Sequence, residues 1–346
     1  MNLLRVGLVA HDIAPCQAFG LLEAGLKVRG IQTRSVLLEA GRKTPPNDWS
    51  EFFGDCGIII IGMSSGSEWA KAEISVAKWA VQQKKPFGFY ADSFGVAKRG
   101  WFSSFHDQAN FVFVLNQSDA DEVSTIFPKA TIVPIGNPTH EGYFDWRLSR
   151  EESRGKIGCK ENDFVILVPG VKFLSLNCEL LGAIYAGIHT TNPRKTKVLF
   201  SLHPGDRNSR EEYDWMVALF STELVPFSVW IREQVPSAEL LCGADLVIES
   251  TSSIGIEAAC KRIPVISFLS SETLDLLEKE SGRRVWMPCE LGTSLLARSW
   301  LDISRYLREK PFDQLRARQA ELYLRPQVKS QSVGMMIDTL IKLTSK

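Results

Sequence analysis

A hydroxyl-rich turn between two apolar runs is the segment of this sequence best suited to hold an anion. The apolar runs are Leu246–Ile248 and Pro264–Ile266, and their order with the turn predicts strand, turn, helix and strand. The turn contains Thr251, Ser252, Ser253 and Gly255. A helix N-terminus carries unpaired N–H groups and the positive end of the helix dipole, so this turn is predicted to bind a phosphate group.

Glu257 follows the turn and is predicted to lie in the first turn of the helix. A carboxylate at this place could hold the hydroxyl groups of a ribose behind the phosphate. The same residues also fit a structural arrangement, in which Ser252 or Ser253 caps the helix and Glu257 complements its dipole. The sequence leaves both interpretations open.

Two more polar turns follow predicted strands in the same half of the chain, after Phe164–Val168 and after Lys197–Leu202. Their candidate phosphate-binding residues are Gly170, Lys172, His203, Pro204 and Gly205. Ligands of parallel α/β sheets bind at the carboxyl ends of the strands, so all three turns are expected at one edge of a sheet. His203 could donate a hydrogen bond to a phosphate or a base. The alternatives are a histidine packed beneath a loop and, for Lys172, an ordinary surface lysine.

Groups that could move a proton follow predicted strands in the first half of the chain. Asp92 comes directly after the apolar run PFGFY, where it could deprotonate an acceptor hydroxyl as a general base. His11 and Asp12 follow the first predicted strand and are the alternative acid–base pair. Turn formation or helix capping is the other interpretation of all three residues.

Other motifs exclude several classes of site. Asp119-Ala120-Asp121 spells the D-x-D of some metal-dependent transferases, but its neighbours favour an acidic first turn of a helix, so no metal and no resident cofactor are predicted. P-loop and G-x-G-x-x-G motifs are absent from the sequence. A P-loop NTPase and a nicotinamide enzyme therefore lack their signatures.

The elements that must position these residues alternate between strand and helix. Short apolar runs such as Gly57–Gly62 and Phe111–Leu115 alternate with segments of helical spacing such as Ala18–Arg29. This alternation predicts an α/β protein with parallel sheets covered by helices on both faces. The polar stretch Trp146–Asp163 predicts a linker between two such domains, and only helices are expected after the strand at Pro264–Phe268.

Composition limits the partners and the compartment. The 346 residues carry forty basic and forty acidic side chains, which gives no electrostatic signature of nucleic-acid binding. Seven cysteines are scattered singly, a pattern typical of free thiols in a reducing compartment. Neither a signal peptide nor a transmembrane segment is predicted, so a cytoplasmic protein is expected. A peripheral membrane contact through the run Lys98–Phe102 stays open.

Most of the chain resembles the GT-B superfamily of glycosyltransferases, which have two Rossmann-like domains. The segments that carry the resemblance read LLEAGLKVRG, VPIGNPTHEGYF, LVPGVK, SLHPGD and ADLVIESTSSIGIEAACKRIPVISF. The His203-Pro204 and Ser252-Ser253 motifs are similar to those of bacterial sialyltransferases and Kdo-type transferases. The GNP junction is similar to the one in UDP-N-acetylglucosamine 2-epimerases, which share the fold.

The resemblance implies two doubly wound parallel-sheet domains facing a cleft. Residues 1–145 are expected to form the acceptor domain and residues 155–325 the nucleotide-sugar domain, while 326–346 form a helix that packs back on the first domain. The implied reaction moves a sugar from a UDP- or CMP-linked donor to the hydroxyl of a carbohydrate or glycoconjugate acceptor. It is expected to be inverting and metal-independent and to serve bacterial-type glycan synthesis.

The resemblance also implies roles for single residues. In sialyl- and Kdo-type transferases the histidine and the serine pair bind the phosphate region of the nucleotide, and an aspartate is the base. His203, Ser252 and Ser253 match the first two positions, and Asp92 matches the position of the base loosely. A nucleotide-sugar epimerase or hydrolase of the same fold is the first alternative. The second is a GT-B protein that binds without catalysis, because the sequence around Asp92 lacks the doubled acid of the D-D-G motif.

Overall fold

The computed structural model describes residues 4–345 except 39–42, 192–195, 204–205, 207–210, 221–226, 231–233, 282–283, 324–325, 327 and 329. The chain divides into two compact units, and each unit has its own parallel sheet. One unit contains Met1–Gly142, Lys279–Arg283 and Pro326–Lys346. The other contains Tyr143–Glu278 and Arg284–Arg325.

The first unit is built on a six-stranded parallel sheet. Its strands are β1 (Arg5–Ala10), β2 (Gln32–Leu37), β3 (Ile58–Gly62), β4 (Phe87–Tyr90), β5 (Phe111–Val114) and β6 (Thr131–Pro134). Its helices up to this point are α1 (Ile13–Val28), α2 (Trp49–Phe53), α3 (Lys71–Gln82) and α4 (Gln117–Ile126), with 3₁₀ helices at Val96–Lys98 and Gly100–Phe105. The order β2-β1-β3-β4-β5-β6 changes direction between β1 and β3, which is where sheets of this class bind ligands.

The second unit has another six-stranded parallel sheet. Its strands are β7 (Phe164–Pro169), β8 (Thr196–Ser201), β9 (Phe227–Trp230), β10 (Leu246–Glu249), β11 (Val265–Phe268) and β12 (Leu295–Ala297). Its helices are α5 (Arg150–Lys156), α6 (Leu174–His189), α7 (Glu211–Phe220), α8 (Ser237–Gly243), α9 (Ser253–Cys260), α10 (Ser271–Ser281), α11 (Met287–Glu290), α12 (Trp300–Glu309) and α13 (Phe312–Leu322). The order β12-β11-β10-β7-β8-β9 changes direction between β7 and β10.

Burial on both faces explains why the strands are continuously apolar. In β3, Ile59 and Ile61 belong to one hydrophobic cluster, whereas Ile58 and Ile60 belong to another. Successive side chains of a strand point to opposite faces of its sheet. All four isoleucines of β3 therefore enter a core, and the α/β class predicted from the sequence is confirmed.

The last helix, α14 (Gln331–Thr344), belongs to the first unit and packs against α1. Gly25 of α1 permits this approach, since a Cβ atom there would lie 2.5 Å from Cγ1 of Val333. Val333, Met336, Ile337 and Leu340 are buried in one cluster with Leu22 and other residues of α1. The C-terminal segment is thus part of the core of the first unit.

Two elements differ from the sequence-based expectation. The polar stretch predicted as a linker contains helix α5, which begins with a capping box between Ser149 and Glu152 and packs on α8. Strand β12 lies where only helices were predicted; its three residues extend the sheet edge beside β11. A strand this short carries almost no periodic signal. Within the described residues, no helix has the length and apolar character needed to cross a bilayer.

Candidate functional site

Gly170 lies directly after β7, at the point where the second sheet changes direction. Its N–H donates to the carbonyl oxygen of Ser201 at 2.8 Å. A Cβ atom at Gly170 would lie 2.9 Å from the ring of Phe200, so a larger residue would displace this turn. The glycine keeps the turn after β7 close to the end of β8.

Asn177 connects this turn to the one after β8. Its side-chain oxygen accepts from the N–H of Val171 at 2.8 Å, and its amide nitrogen donates to Val171 O and to Tyr213 Oη, both at 2.9 Å. The Tyr213 hydroxyl donates to Asp206, whose Oδ2 also lies 3.3 Å from the Asn177 amide nitrogen. No role for Asn177, Asp206 or Tyr213 was predicted from the sequence.

His203 is partly buried beside these groups. Burial lowers its pKa to about 4, the charge of Lys172 acts in the same direction, and Asp206 opposes both. The imidazole is therefore neutral near pH 7 and can donate one hydrogen bond. Lys172 is exposed. Pro204 and Gly205, which were predicted to share this site, lie outside the described residues.

The hydroxyl-rich turn follows β10 and leads into α9, as predicted. Ser252 is the N-cap, and its Oγ accepts from the N–H of Ile254 at 3.3 Å. Ser253 is the first helical residue and is exposed. Thr251 has a φ of 60°, a left-handed conformation that is costly for a β-branched residue. The capping interpretation is thus confirmed for Ser252, while Ser253 is left facing solvent.

Glu249 is a buried residue of this region that the sequence analysis missed. Its carboxylate accepts from the N–H of Ser252, from the hydroxyl of Ser267 and, at 3.2 Å, from the indole N–H of Trp286. Burial raises its pKa to about 7, although these hydrogen bonds act in the opposite direction. Gly255 makes room for it, since a Cβ atom there would lie 3.0 Å from Glu249 Cγ.

Glu257 lies in the second turn of α9, because the helix begins at Ser253. Its expected place in the first turn is therefore wrong, and at this distance the helix dipole contributes little. Its Oε1 lies 3.5 Å from Nζ of buried Lys261, which also donates to the carbonyl oxygens of Tyr143 and Asp145. Burial raises the pKa of Glu257, and the charges of Lys261 and Arg147 oppose that rise.

In the first unit, Glu73 of α3 joins the two loops at the point where the sheet changes direction. Its fully buried carboxylate accepts from the N–H of His11 at 3.1 Å and from the N–H and hydroxyl of Ser64, both at 2.9 Å. Burial raises its pKa to about 7. A Cβ atom at Gly62 would lie only 2.8 Å from Glu73 Oε1. Because glycine has no side chain, the loop after β3 can close over the carboxylate.

His11 and Asp12 lie at the end of β1, as predicted. Asp12 Oδ2 accepts from the N–H of Ser65 at 2.8 Å, and Asp12 Oδ1 lies 3.5 Å from Nδ1 of His11. The imidazole stacks on Trp69, with ring centroids 6.0 Å apart. Asp12 therefore holds the loop after β3, and His11 lies in an aromatic setting at the same edge.

Asp92 follows β4 at this edge and is partly buried. Burial raises its pKa to about 6; the charge of Arg99 lowers it and that of Asp12 raises it. The main-chain oxygen of Asp92 accepts from Asn137 at 3.0 Å. Arg99 donates to the carbonyl oxygen of Met63, and its Nε is buried without a hydrogen-bond partner among the described residues.

The remaining motifs have structural roles. Asp119 lies in the first turn of α4, as predicted, and accepts from the N–H of Leu115 at 3.3 Å. In the part of the chain that the structure describes, no three histidine, cysteine or acidic side chains converge as metal ligands do. Phe102 of the run Lys98–Phe102 is fully buried in the first core, and Lys98 pairs with Glu122.

The predicted site residues thus fall into two groups, one in each unit. In the second unit, Gly170 and the Ser252–Ser253 turn follow neighbouring strands, and His203 interacts electrostatically with Lys172. In the first unit, His11, Asp12 and Asp92 follow β1 and β4 at one sheet edge. A buried glutamate stabilises the loops of each group, Glu249 in the second unit and Glu73 in the first. The available sequence signal for each was an acidic residue beside apolar ones.

Comparison with known proteins identifies the fold. Neither a protein-family model nor a curated protein sequence matches the chain. UDP-GlcNAc 2-epimerase from Neisseria meningitidis, solved with UDP-GlcNAc bound, superposes with a TM-score of 0.67 at 13% identity, covering 98% of this chain and 100% of the epimerase. Anabaena HepE in complex with UDP-glucose gives 0.63 at 11% identity, with 99% and 100% covered. The wall teichoic acid polymerase TagF gives 0.57 at 11% identity, with 100% and 90% covered.

This chain has the GT-B fold. Both parallel sheets match the two Rossmann-like domains of that fold. At identities of 11–13%, this likeness establishes the fold of the chain.

Proposed function

We propose that this GT-B protein binds a nucleotide sugar in its second unit and transfers the sugar to an acceptor hydroxyl. One observation carries the proposal: the Gly170 turn and the Ser252–Ser253 turn lie at the switch point of a doubly wound sheet. Ligands of such sheets bind at this point, and phosphate groups bind at helix N-termini. The UDP-sugar complexes of two structural neighbours support the same ligand class.

The phosphate groups of the donor are proposed to lie against the hydroxyl and N–H of Ser253 and the turn at Gly170. Neutral His203 donates a hydrogen bond, and Lys172 supplies a positive charge. Fixed donors stabilise the charge that develops on the departing nucleotide, so the bond to the sugar breaks without a metal. Glu257 is proposed to hold the ribose through the carboxylate oxygen that does not face Lys261.

Asp92 of the first unit is the proposed base. It takes the proton of the acceptor hydroxyl as the oxygen attacks the anomeric carbon, and the nucleotide leaves with the bonding electrons. A pKa of about 6 keeps this carboxylate ionised at neutral pH yet more basic than an exposed aspartate. His11, at the same sheet edge, is proposed to contact the acceptor. The transferred sugar is proposed to be a hexosyl group or a sugar of the bacterial sialyl or Kdo type, and the reaction is proposed to invert the anomeric configuration.

The first experiment is a thermal-shift panel with UDP, CMP, CDP, GDP and ADP on wild type, Ser253→Ala and His203→Ala. One nucleotide is expected to raise the melting temperature of wild type, since a ligand that binds only the folded state stabilises it. Both variants should lose that rise. If no nucleotide shifts the wild-type transition, the proposal is wrong, and the result favours a protein of this fold that does not use nucleotides.

A nucleotide-sugar 2-epimerase is the second candidate, because the Neisseria epimerase covers 98% of this chain. Asp92, a carboxyl group of the first unit with a pKa raised to about 6, is then the proposed acid–base group that acts on the sugar. Incubation of the enzyme with UDP-GlcNAc and no acceptor separates the candidates. An epimerase converts the sugar alone, whereas a transferase needs the acceptor, and a protein that only binds does neither.

A further inference from the structure

A buried carboxyl group lies beside the proposed phosphate-binding turn. Glu249 is fully buried, and its oxygens accept hydrogen bonds from the N–H of Ser252, the hydroxyl of Ser267 and the indole of Trp286. These donors come from the turn itself, from β11 and from the residue that precedes α11. Glu249 therefore fastens the turn to the rest of the second unit.

The turn has a conformation that needs such support. Thr251 adopts a φ of 60°, a conformation that is unfavourable for a residue with a Cβ and persists only where the surroundings enforce it. Gly255 leaves the space that the Glu249 side chain fills. The left-handed backbone at Thr251 and the missing side chain at Gly255 are thus both explained by the Glu249 carboxyl group.

The position of this carboxyl group has an electrostatic consequence. Ser252 and Ser253 supply adjacent N–H groups at the start of α9, and the first of them already faces Glu249. A negative charge there opposes a second anion at the same helix end. We propose that Glu249 is a positioning residue for the Thr251–Ser253 turn and that ionisation of its carboxyl group weakens the binding of an anionic ligand. This inference rests on the proposed function.

The titratable groups around Glu249 keep the same charge near neutral pH, so the charge of Glu249 changes independently of theirs. Among the described residues, the titratable side chains that interact with it are Cys289, in α11, and Tyr323, which follows α13. Burial raises their pKa values to about 11 and about 12, so both stay neutral between pH 6 and 8. Glu249, with a pKa of about 7, changes charge within that interval.

Calorimetric titration with UDP-glucose and CDP-glucose from pH 6 to 8 tests the inference, because the diphosphate of neither probe titrates in that range. Wild-type affinity for the bound probe is expected to fall about fivefold between pH 6 and pH 8, because one pKa unit of coupling gives about tenfold only over a complete titration. Glu249→Gln, which reproduces the neutral acid, should bind with the same affinity at both limits. The exposed Glu179→Gln variant is the control and should behave as wild type.

Three results would overturn the inference. Equal pH slopes in wild type and Glu249→Gln would assign Glu249 a merely structural role. Loss of binding at every pH in a folded Glu249→Gln protein would mean that the charge assists the ligand. If wild type binds neither nucleotide sugar, the proposed function fails and the inference falls with it, whereas equal slopes leave the proposed function intact.

A second variant covers the case in which Glu249→Gln does not fold. The hydrogen bond from Ser267 lowers the pKa of Glu249, so Ser267→Ala should raise that pKa. In the Ser267→Ala variant, the pH at which the affinity falls is expected to lie about half a unit or more above that of wild type. The affinities reached at low and at high pH should not change. An unchanged midpoint would contradict control by Glu249.

Discussion

Ser252 and Ser253 are adjacent in the sequence, but their hydroxyl groups have different surroundings. Ser252 caps α9 through its contact with the N–H of Ile254, whereas Ser253 faces solvent. A capping hydroxyl stabilises the folded protein, and an exposed hydroxyl at a helix start is available to a ligand. Stability and ligand binding should therefore separate between two neighbouring residues.

Replacing each serine by alanine tests this separation. Ser252→Ala should lower the free energy of unfolding by about 1 kcal/mol, because a cap is lost. Ser253→Ala should leave stability within about 0.5 kcal/mol of wild type, yet weaken nucleotide binding about tenfold, since a hydrogen bond to a charged group contributes roughly 1.5–3 kcal/mol. Urea unfolding and calorimetric titration measure the two effects. Equal losses of stability would show that both hydroxyl groups cap the helix.

Asp92 is the residue on which the proposed reaction depends. Asp92→Asn should abolish sugar transfer and leave nucleotide binding unchanged, because the amide cannot take a proton. In wild type the rate should rise with pH through about 6, where the carboxyl group with its raised pKa loses its proton. Initial rates from pH 5 to 8 measure this limb. Asp121→Asn, at an exposed position of α4, is the control, and near-normal turnover by Asp92→Asn would remove Asp92 from the reaction.

At the scale of elements, the contact between α1 and α14 depends on one missing side chain. Gly25 and Gly20 both lie within α1, but only Gly25 is close to α14. A Cβ at Gly20 would meet nothing within 4 Å. The two glycines therefore differ in tertiary environment while their local helical environment is alike.

This pair gives opposite expected changes in stability. Gly20→Ala should raise the free energy of unfolding by about 1 kcal/mol, because alanine favours helix. Gly25→Ala should lower it by about 1–3 kcal/mol, since the new methyl group overlaps Val333 and overpacks the contact. Thermal unfolding of both variants checks the difference in sign. A gain in stability for Gly25→Ala would mean that α14 yields to the added methyl group.

At the scale of the whole molecule, the chain returns to its first unit after completing the second. Val333, Met336, Ile337 and Leu340 of α14 enter the core that contains β1 and α1. Burial of each such side chain contributes roughly 1.5–3 kcal/mol. Their sum is comparable with the stability of a typical domain, so the first unit should depend on residues at the far end of the sequence.

Removing residues 326–346 tests this dependence. The shortened chain should lose amide protection in the first unit, because its core is exposed, and keep it in the second, which has its own core. Hydrogen exchange read by mass spectrometry distinguishes the units. Full protection of β1 and α1 after the truncation would show that α14 is dispensable.

Local patterns in the sequence determined most of the elements and the places where chemistry is possible. Continuous apolar runs predicted the strands because each strand is buried on two faces, and glycine and serine marked the turns at their ends. The cap at Ser252 could be anticipated for the same reason, since its hydroxyl bonds within the next two residues. Asp119 was likewise assigned correctly to a helix start.

Only the tertiary structure decided which distant groups meet. Glu73 contacts His11 across 62 positions of sequence, and Lys261 reaches Tyr143 across 118. Arg154, which reads as a linker residue, is buried against carbonyl oxygens and pairs with Asp245. Such contacts depend on strand order and helix packing, which no local periodicity encodes. For the same physical reason, only the folded structure shows the partners of Glu73 and Glu249 and the raised pKa values of these two residues.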